Sequence, residues 1–261
     1  MKIKINPAYK NNRAVCEFIQ HLPEIFDREG DLLYSGRNVI KSFTLSDPDP
    51  VLQQLVVKRY KHPNPVQRII YSFFRDTKAA RAFRNASELR RRRIDTPLEI
   101  GYLEQWKNGL FEYGYYISSY DGAPSISGRL TEIPEFDRIM AADFAAFAAK
   151  LHEKGILHHD LNSTNVLYHP ENRGYRFSVI DINRMDFKPE GSCPSKGECL
   201  ENLTRFTGKM DLFEYVARCY AESRKWPVET TVKKALAVKI RHDRKWSRRK
   251  AFLRKFSGKR K

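Results

Sequence analysis

The feature that most constrains the fold is a short motif in the second half of the chain. Residues 158–165 read HHDLNSTN, so that Asp160 is followed five residues later by Asn165. A helical pattern precedes the motif and ends at Gly155, as glycine often does just past a helix. A predicted strand follows the motif and ends near Asp181. The fold must therefore bring a loop that follows a helix and the end of a later strand to one edge of a cleft.

These residue types suit the transfer of a phosphoryl group from a nucleotide. Such a transfer needs a carboxylate that orients or deprotonates the attacking hydroxyl, oxygen ligands for Mg²⁺, and a cation on the phosphates. Asp160 and Asn165 supply the first group and part of the second, and Asp181 supplies the main metal carboxylate. An H-x-D-L motif alone is a weak signal, because His-Asp pairs occur in many loops. Its combination with the helix, the glycine and the strand favours a phosphotransfer site over a chance match.

The order of the predicted elements indicates an α+β fold. A helical pattern runs over 66–93, and the second half of the chain is mainly helical. Strand patterns occupy most of the first half, at 1–5, 32–45, 51–60 and 98–120.

A turn at 121–124 marks a reasonable boundary between two lobes. We therefore expect an N-lobe, 1–119, made of an antiparallel sheet and one helix. A mainly helical C-lobe, 120–238, follows, and a basic tail, 239–261, ends the chain.

Composition is that of an ordinary globular protein, with 41% hydrophobic and 30% charged residues. The most apolar stretch, 139–151, contains Asp143 and Lys150, and it is too short and too charged to span a bilayer. No apolar segment of a secretory signal follows Met1, so we expect a cytoplasmic protein. The four cysteines fit reduced thiols; Cys193 and Cys199 lack a usual zinc spacing, and a metal clip there is the less favoured alternative.

The charge is concentrated at one end. Lys and Arg exceed Asp and Glu by 17 over the chain, and 239–261 holds twelve basic residues and one acidic residue. Such a tail points to an anionic partner, either nucleic acid or a membrane surface rich in phosphate. No recognition motif of a nucleic-acid module is present, so nucleic acid is not the expected partner.

The tail has the pattern of a basic amphipathic helix. Such a helix either lies on an anionic membrane or packs its aromatic residues on the second lobe, and the sequence favours neither. Its apolar positions are Ile240, Trp246, Phe252, Leu253 and Phe256.

The segment around Asp160 resembles the catalytic loop of the protein-kinase-like superfamily. More narrowly, the chain resembles the lipopolysaccharide kinase family, the Kdo and heptose kinases of Gram-negative bacteria. This resemblance implies a two-lobed protein-kinase-like fold that uses ATP and Mg²⁺. The stretches that carry it read YSGRNVIK at 34–41, VVKRY at 56–60, LHEKGILHHDLNSTNVL at 151–167 and VIDINR at 179–184.

The resemblance assigns roles to individual residues. Asp160 would be the catalytic base, and Asn165 and Asp181 would bind Mg²⁺. Lys58 matches the strand lysine that contacts the α and β phosphates, although a solvated strand lysine is the alternative. Its partner on the helix would be Glu88, the one acidic residue of 79–93.

Two of the assigned residues lie in the stretch that would cover the nucleotide. Gly36 and Val39 are expected to contact ATP there, with a single glycine where the family pattern of protein kinases has three. Glu88 has a different possible role, because it can pair with Arg84, Arg91 or Arg92 of its own helix.

Several departures argue against a regulated protein kinase. His159 stands where such kinases carry arginine, Asp181 is followed by Ile182 and Asn183 rather than Phe-Gly, and no A-P-E motif follows. These changes suit a permanently formed site that acts on a small acceptor or a sugar. His158 is expected to brace the loop through hydrogen bonds.

The leading hypothesis is an ATP-dependent kinase that phosphorylates a sugar of the lipopolysaccharide inner core, with Kdo as the first choice. Its substrate would be a lipid A-linked sugar, and the protein would sit peripherally on the anionic inner membrane. A small-molecule or protein kinase of the same superfamily is the first alternative. A non-catalytic nucleotide-binding pseudokinase is the second, supported only by the glycine-poor loop.

Overall fold

The computed structural model describes residues 1–206 and 208–257, the side chains of 250 and 252–257 excepted. The chain forms two compact units. The first contains Met1–Gly122 and Val179–Arg184, and the second contains Ala123–Ser178 and Met185–Lys261. The short segment with Asp181, which the sequence analysis places in the C-lobe, thus belongs to the first unit.

A six-stranded antiparallel sheet forms the frame of the first unit. The strand order is β1-β5-β6-β4-β3-β2, and each pair of neighbours is antiparallel. The strands are β1 (Lys2–Ile5), β2 (Asp31–Ser35), β3 (Val39–Thr44), β4 (Gln54–Arg59), β5 (Glu99–Lys107) and β6 (Leu110–Ser119). The predicted antiparallel N-terminal sheet is therefore confirmed.

The first unit has more helices than the one that the sequence analysis expects. They are α1 (Arg13–Ile25), α2 (Pro50–Gln53), α3 (Pro65–Phe73) and α4 (Lys78–Arg91). The first of them fills one face of the sheet, because its residues Val15, Ile19 and Leu22 are fully buried in the core of the unit. Asn12 caps its first turn by accepting a hydrogen bond from Val15 N.

The helical pattern over 66–93 forms two helices rather than one. Phe74 ends α3, and Thr77 begins α4 as its N-cap, where its hydroxyl accepts a hydrogen bond from Ala80 N. The Thr77 hydroxyl also donates to buried Glu104 Oε1 at 2.6 Å. A helix that ran through Thr77 would lose this cap, so the local chemistry favours the break.

Helices make up most of the second unit, together with two short antiparallel strand pairs. The helices are α5 (Ser127–Leu130), α6 (Arg138–Glu153), α7 (Lys196–Leu203), α8 (Met210–Ser223) and α9 (Val228–Ser257). The strands are β7 (Ile156–His158), β8 (Val166–Glu171), β9 (Gly174–Val179) and β10 (Met185–Phe187), with β7 paired to β10 and β8 to β9. Aromatic rings fill the core beside α6; the rings of Phe144 and Phe206 lie 4.7 Å apart.

Of the predicted basic tail, 239–261, residues 239–257 form the distal part of α9. The helix packs through Val232 and Ala235, and Lys239 is also buried, with its ammonium 3.0 Å from Asp243. Beyond this point Ile240 and Trp246 are 42% and 57% exposed. The side chains of Phe252, Leu253 and Phe256 lie outside the described residues. No helix among the described residues is long and apolar enough to cross a membrane.

All four cysteines are free thiols. Cys199 is buried and Cys193 is exposed. Among the described residues, no group of three or more His, Cys, Asp or Glu side chains is arranged to hold a metal. The structure therefore gives no support to a metal clip at these cysteines.

Gly155 joins α6 to the motif strand β7, and it should be sensitive to substitution. Its φ is +72°, a left-handed conformation that L-residues adopt only at a cost. Gly155→Ala should lower the free energy of unfolding by about 1–2 kcal/mol, measured by urea denaturation. Gly128→Ala is the matched control, because Gly128 lies within α5 and faces open space. Equal destabilisation by both variants would contradict this account.

Candidate functional site

An ion pair joins two of the predicted site residues within the first unit. Lys58 lies on the inner strand β4, between Ile40 of β3 and Tyr116 of β6. Its Nζ donates a hydrogen bond to Asp181 Oδ1 at 2.6 Å. The two side chains are 13% and 28% exposed, so the pair is largely shielded from water. A lysine and an aspartate in this arrangement supply one cation for phosphate and one carboxylate for a metal ion.

Main-chain contacts hold the Asp181 segment to the first unit. Val179 N donates to Asp95 O at 3.0 Å, and Thr96 Oγ1 donates to Val179 O at 2.7 Å. From α4, buried Asn85 donates through Nδ2 to Ile182 O at 2.7 Å. These bonds fix the backbone on both sides of Asp181, so its carboxylate is positioned by the sheet and helix of this unit.

Asp181 adopts an unusual backbone conformation. Its φ is +53°, in the left-handed region that aspartate tolerates better than most residues. Asn183 Nδ2 also donates to Asp181 Oδ1, at 2.6 Å, and Asn183 is itself buried. Strained residues that are held by several bonds are found most often at functional sites. The sequence analysis missed Asn85 and Asn183, because their partners are set by this local turn.

The carboxylate of Glu88 pairs with arginines of its own helix rather than with Lys58. Its carboxylate accepts hydrogen bonds from Arg91 Nε at 2.8 Å and from Arg92 Nε at 2.6 Å. The bond from Arg91, and then that from Arg92, lower the pKa of Glu88 to about 2. The alternative noted from the sequence, pairing with arginines of the same helix, is thus the arrangement observed. The contact from α4 to the Asp181 segment comes instead from Asn85, one turn earlier.

A cluster of cations surrounds the ion pair. Burial, and then the nearby Arg37, Arg184 and Arg81, lower the pKa of Lys78 to about 8. Arg81 Nε is buried and has no hydrogen-bond partner among the described residues. A bound anion would supply an acceptor for the buried Arg81 donor and an opposite charge for Lys78 and the arginines near it. These residues therefore fit the phosphates of a nucleotide, and the sequence analysis missed Lys78 among them.

The predicted nucleotide-covering stretch is the turn between β2 and β3. Gly36 N donates to Asn38 O at 3.1 Å, which closes the turn. Val39 begins β3 and lies opposite Arg59 of β4, in the register that places Ile40 beside Lys58. Gly36 therefore lies in the turn before β3, and Val39 lies on β3, which pairs with β4, the strand that carries Lys58.

The motif loop of the second unit is held by a buried histidine. His158 is fully buried at the end of β7, and its Nδ1 accepts a hydrogen bond from Asp160 N at 3.1 Å. The expected bracing role of His158 is confirmed. Asp160 Oδ1 in turn accepts from Asn162 Nδ2 at 3.1 Å. One carboxylate oxygen of Asp160 is thus oriented by the loop itself, as a positioned general base requires.

Asn165 lies beside Asp160 in the same unit. Its Nδ2 donates to Asp160 O at 2.9 Å, so its amide oxygen points away from the backbone of the loop. An amide oxygen and a carboxylate are ligands that Mg²⁺ accepts. The structure therefore brings Asp160 together with Asn165, and separately brings Lys58 together with Asp181.

A series of buried hydrogen bonds connects the motif loop to α6, α7 and α8. Asn202 Nδ2 donates to His158 O at 2.9 Å, and Asn202 Oδ1 accepts from His152 Nε2 at 3.0 Å. The other ring nitrogen, His152 Nδ1, accepts from the hydroxyl of Tyr220 at 2.7 Å. Burial lowers the pKa of His152 to about 4, so the ring is neutral near pH 7 and keeps this pattern of donors.

His159, the residue that replaces the arginine of regulated protein kinases, points to a different partner. Its Nε2 lies 2.7 Å from Asp186 Oδ2 on β10, and both side chains are exposed. This exposed contact belongs to the second unit, and it leaves Asp160 to be positioned by His158 and Asn162.

The sequence matches a known family over most of its length. The model of the lipopolysaccharide kinase (Kdo/WaaP) family matches residues 35–214. The chain belongs to this family. The match includes Lys58, Asp160, Asn165 and Asp181, and it confirms the resemblance drawn from the motifs. None of the curated proteins matches the chain at a significant level.

A solved structure has the same fold as this kinase. It is described as WaaP in complex with acyl carrier protein, and its sequence is 15% identical to this chain. The alignment covers 95% of this chain and 99% of that one, with a TM-score of 0.58. At this identity the likeness concerns the fold, and it confirms the predicted α+β, protein-kinase-like architecture.

Membership of the family establishes the class of reaction. This kinase is an ATP-using phosphotransferase with a sugar hydroxyl as the acceptor, and its role lies in lipopolysaccharide biosynthesis. A transfer of this class needs a carboxylate near the acceptor hydroxyl, oxygen ligands for a metal ion and a cation on the phosphates.

Asn85, rather than Glu88, should control the position of Asp181. Asn85→Leu removes the donor to Ile182 O and should lower kcat/KM for ATP by about 10–100-fold through misplacement of the Asp181 segment. Glu88→Gln is the matched control on the same helix and should change kcat/KM for ATP by less than about threefold. Steady-state phosphotransfer kinetics, with thermal melts to verify folding, distinguish the two. A larger loss for Glu88→Gln would show that Glu88 pairs with Lys58 in the working enzyme.

The buried His152 should make the free energy of unfolding of this kinase depend on pH. The pKa of His152 is about 6.5 in the unfolded chain and about 4 in the folded chain. Between pH 6.5 and pH 4, the unfolded chain therefore binds a proton on this ring that the folded chain does not. The free energy of unfolding is unaffected by this ring above pH 6.5, and it falls by up to about 3 kcal/mol as the pH is lowered toward 4. Urea denaturation across this range should show a weaker acid decline for His152→Gln. Exposed His21→Gln serves as the control, and identical pH profiles for all three proteins would contradict this account.

Proposed function

We propose that this kinase transfers the γ-phosphate of ATP to a hydroxyl of a Kdo residue in the lipid A-linked inner core. The observation that carries the proposal is the ion pair of Lys58 and Asp181 at 2.6 Å, in a chain of the Kdo/WaaP family. The pair stands within a cluster of cations that would attract a polyphosphate.

Each predicted site residue has a defined task in this reaction. Lys58 neutralises charge on the α and β phosphates, and Gly36 and Val39 cover the nucleotide. Asp160 accepts the proton of the attacking sugar hydroxyl as its oxygen bonds to the γ-phosphorus, the bond from that phosphorus to the β–γ bridging oxygen breaks, and ADP leaves. When bound, Mg²⁺ would neutralise charge on the transferred phosphoryl group, and Asn165 and Asp181 are the residues that would hold it.

The Lys58–Asp181 pair would be exchanged when substrate binds. Without a nucleotide, each side chain satisfies the charge of the other. When substrate binds, Lys58 would contact phosphate oxygens of ATP, and Asp181 would be one of the residues that hold the metal ion. The exchange keeps both charges compensated in each state, which a largely buried pair requires.

The acceptor and the location follow from charge. A lipid A-linked core sugar carries phosphates and carboxylates, and a chain with an excess of 17 basic residues suits such a substrate. We place the kinase on the cytoplasmic face of the inner membrane as a peripheral protein, with the exposed basic part of α9 toward the anionic lipid. Heptose is the competing sugar, because the family includes both Kdo and heptose kinases.

The decisive experiment is transfer of labelled γ-phosphate to purified Kdo–lipid A, with a heptose-bearing core as the parallel acceptor. Transfer to Kdo–lipid A should require magnesium and exceed transfer to the heptose acceptor. Asp160→Asn and Asp181→Asn should each lower the rate by about 10²–10⁴-fold. Asp186→Asn is a matched control in the second unit, because Asp186 is exposed and bonded to His159.

Three outcomes would overturn parts of the proposal. Faster transfer to the heptose acceptor would reassign the sugar. Full activity of Asp160→Asn and Asp181→Asn would refute the assigned mechanism. Binding of Mg-ATP without transfer to any glycolipid, protein or small-molecule acceptor would indicate a pseudokinase.

A further inference from the structure

Helix α3 presents its polar side to the protein and its apolar side to solvent. Arg68, Tyr71 and Ser72 form the inner side, and all three contact Phe111 at the start of β6. Arg68 Nε donates to Phe111 O and Ser72 Oγ accepts from Phe111 N, each at 2.9 Å. The ring of Tyr71 packs edge-on against that of Phe111, with centroids 5.7 Å apart. The helix is therefore attached to the sheet mainly through polar bonds.

The opposite side, which we call the outer face of α3, is apolar and exposed. With 100° between successive residues, its side chains fall within an arc of roughly 140°. They are Val66, Ile69, Ile70, Phe73 and the adjoining Phe74, which are 66%, 48%, 38%, 67% and 80% exposed. A surface helix normally turns its apolar stripe inward, so this arrangement is the reverse of the usual one. A contiguous apolar patch of this kind marks a surface that binds a partner.

The charge around the outer face is positive. Residues 61–76 contain Lys61, Arg68 and Arg75 and one acidic residue, Asp76, whose carboxylate lies 2.6 Å from Arg84. An open groove of about 620 Å³ flanks the start of α3, and its cations are Arg37, Lys61, Arg68 and Lys78. None of the described residues that line this groove is acidic.

We propose that the outer face of α3 docks on an anionic lipid bilayer. Its aliphatic and aromatic side chains would enter the boundary between headgroups and acyl chains, and the exposed Lys61 and Arg75 at its two ends would contact lipid phosphates. Apolar residues on one side of a short helix with flanking cations are the chemistry of an interfacial helix.

A second copy of the chain fits this face less well. A symmetric dimer would bring each patch and its flanking cations onto the same surface of the partner. Lys61 and Arg75 would then lie near the same cations of the partner, and Asp76, the acidic residue next to Arg75, is already paired with Arg84. An anionic bilayer supplies both the apolar layer and the negative charge.

This docking site goes beyond the proposed function, since it needs neither ATP nor a sugar. It is separate from the basic part of α9, and the two can be tested independently. The proposed function gives it a purpose, because a lipid-linked acceptor lies at such a surface.

The test is co-sedimentation of the full chain with vesicles. Vesicles of phosphatidylglycerol and phosphatidylcholine should bind the protein, and vesicles of phosphatidylcholine alone should bind it more weakly. The double variant Ile69→Gln/Phe73→Gln should weaken binding to the anionic vesicles by at least about tenfold. Ile139→Gln is the matched control, because Ile139 is 64% exposed on α6 of the second unit and should leave binding unchanged.

Two results would overturn the docking proposal. The first is unchanged vesicle binding by the double variant, which would leave the charge of α9 as the source of affinity. The second is a dimer of the wild-type chain that the double variant converts to monomer without any change in vesicle binding. Asp160→Asn should bind vesicles like the wild type. Vesicle binding therefore tests the docking site, and the phosphotransfer assay tests the mechanism.

Discussion

The ion pair between Lys58 and Asp181 is the interaction on which the arrangement of the first unit depends. It joins the inner strand of the sheet to a six-residue segment, 179–184, that arrives from much later in the chain. That segment contributes no strand to the six-stranded sheet, and it is held by main-chain bonds and one ion pair. The left-handed backbone of Asp181 is tolerated because Asp95, Thr96 and Asn85 fix the residues around it.

The parts of the site that the sequence predicts are those set by short-range chemistry. Asp160, Asn165 and Asp181 follow from a spacing that only a loop and a strand end can satisfy. The antiparallel sheet follows from strand patterns separated by turns. Lys58 is assigned through the resemblance of VVKRY at 56–60 to the family, and its contact with Asp181 spans 123 residues of sequence.

The parts that sequence reasoning missed depend on contacts that no local pattern encodes. Helix α1 is not predicted from the sequence, and its buried residues Val15, Ile19 and Leu22 pack in the core of the first unit. Whether Glu88 or Asn85 faces Asp181 depends on the rotation of α4 about its axis, which its packing on the sheet sets. The two arginines that follow Glu88 compete for its carboxylate at shorter range than any lysine on a strand.

The hydrogen bond from α4 to the Asp181 segment should depend little on the salt concentration. Asn85 is neutral, and its acceptor is a main-chain carbonyl, so the bond involves no net charge on either side. A contact of this kind is not weakened by dissolved salt, whereas a glutamate–lysine contact is screened by it. The contact between α4 and the Asp181 segment should therefore stay the same over a wide range of ionic strength.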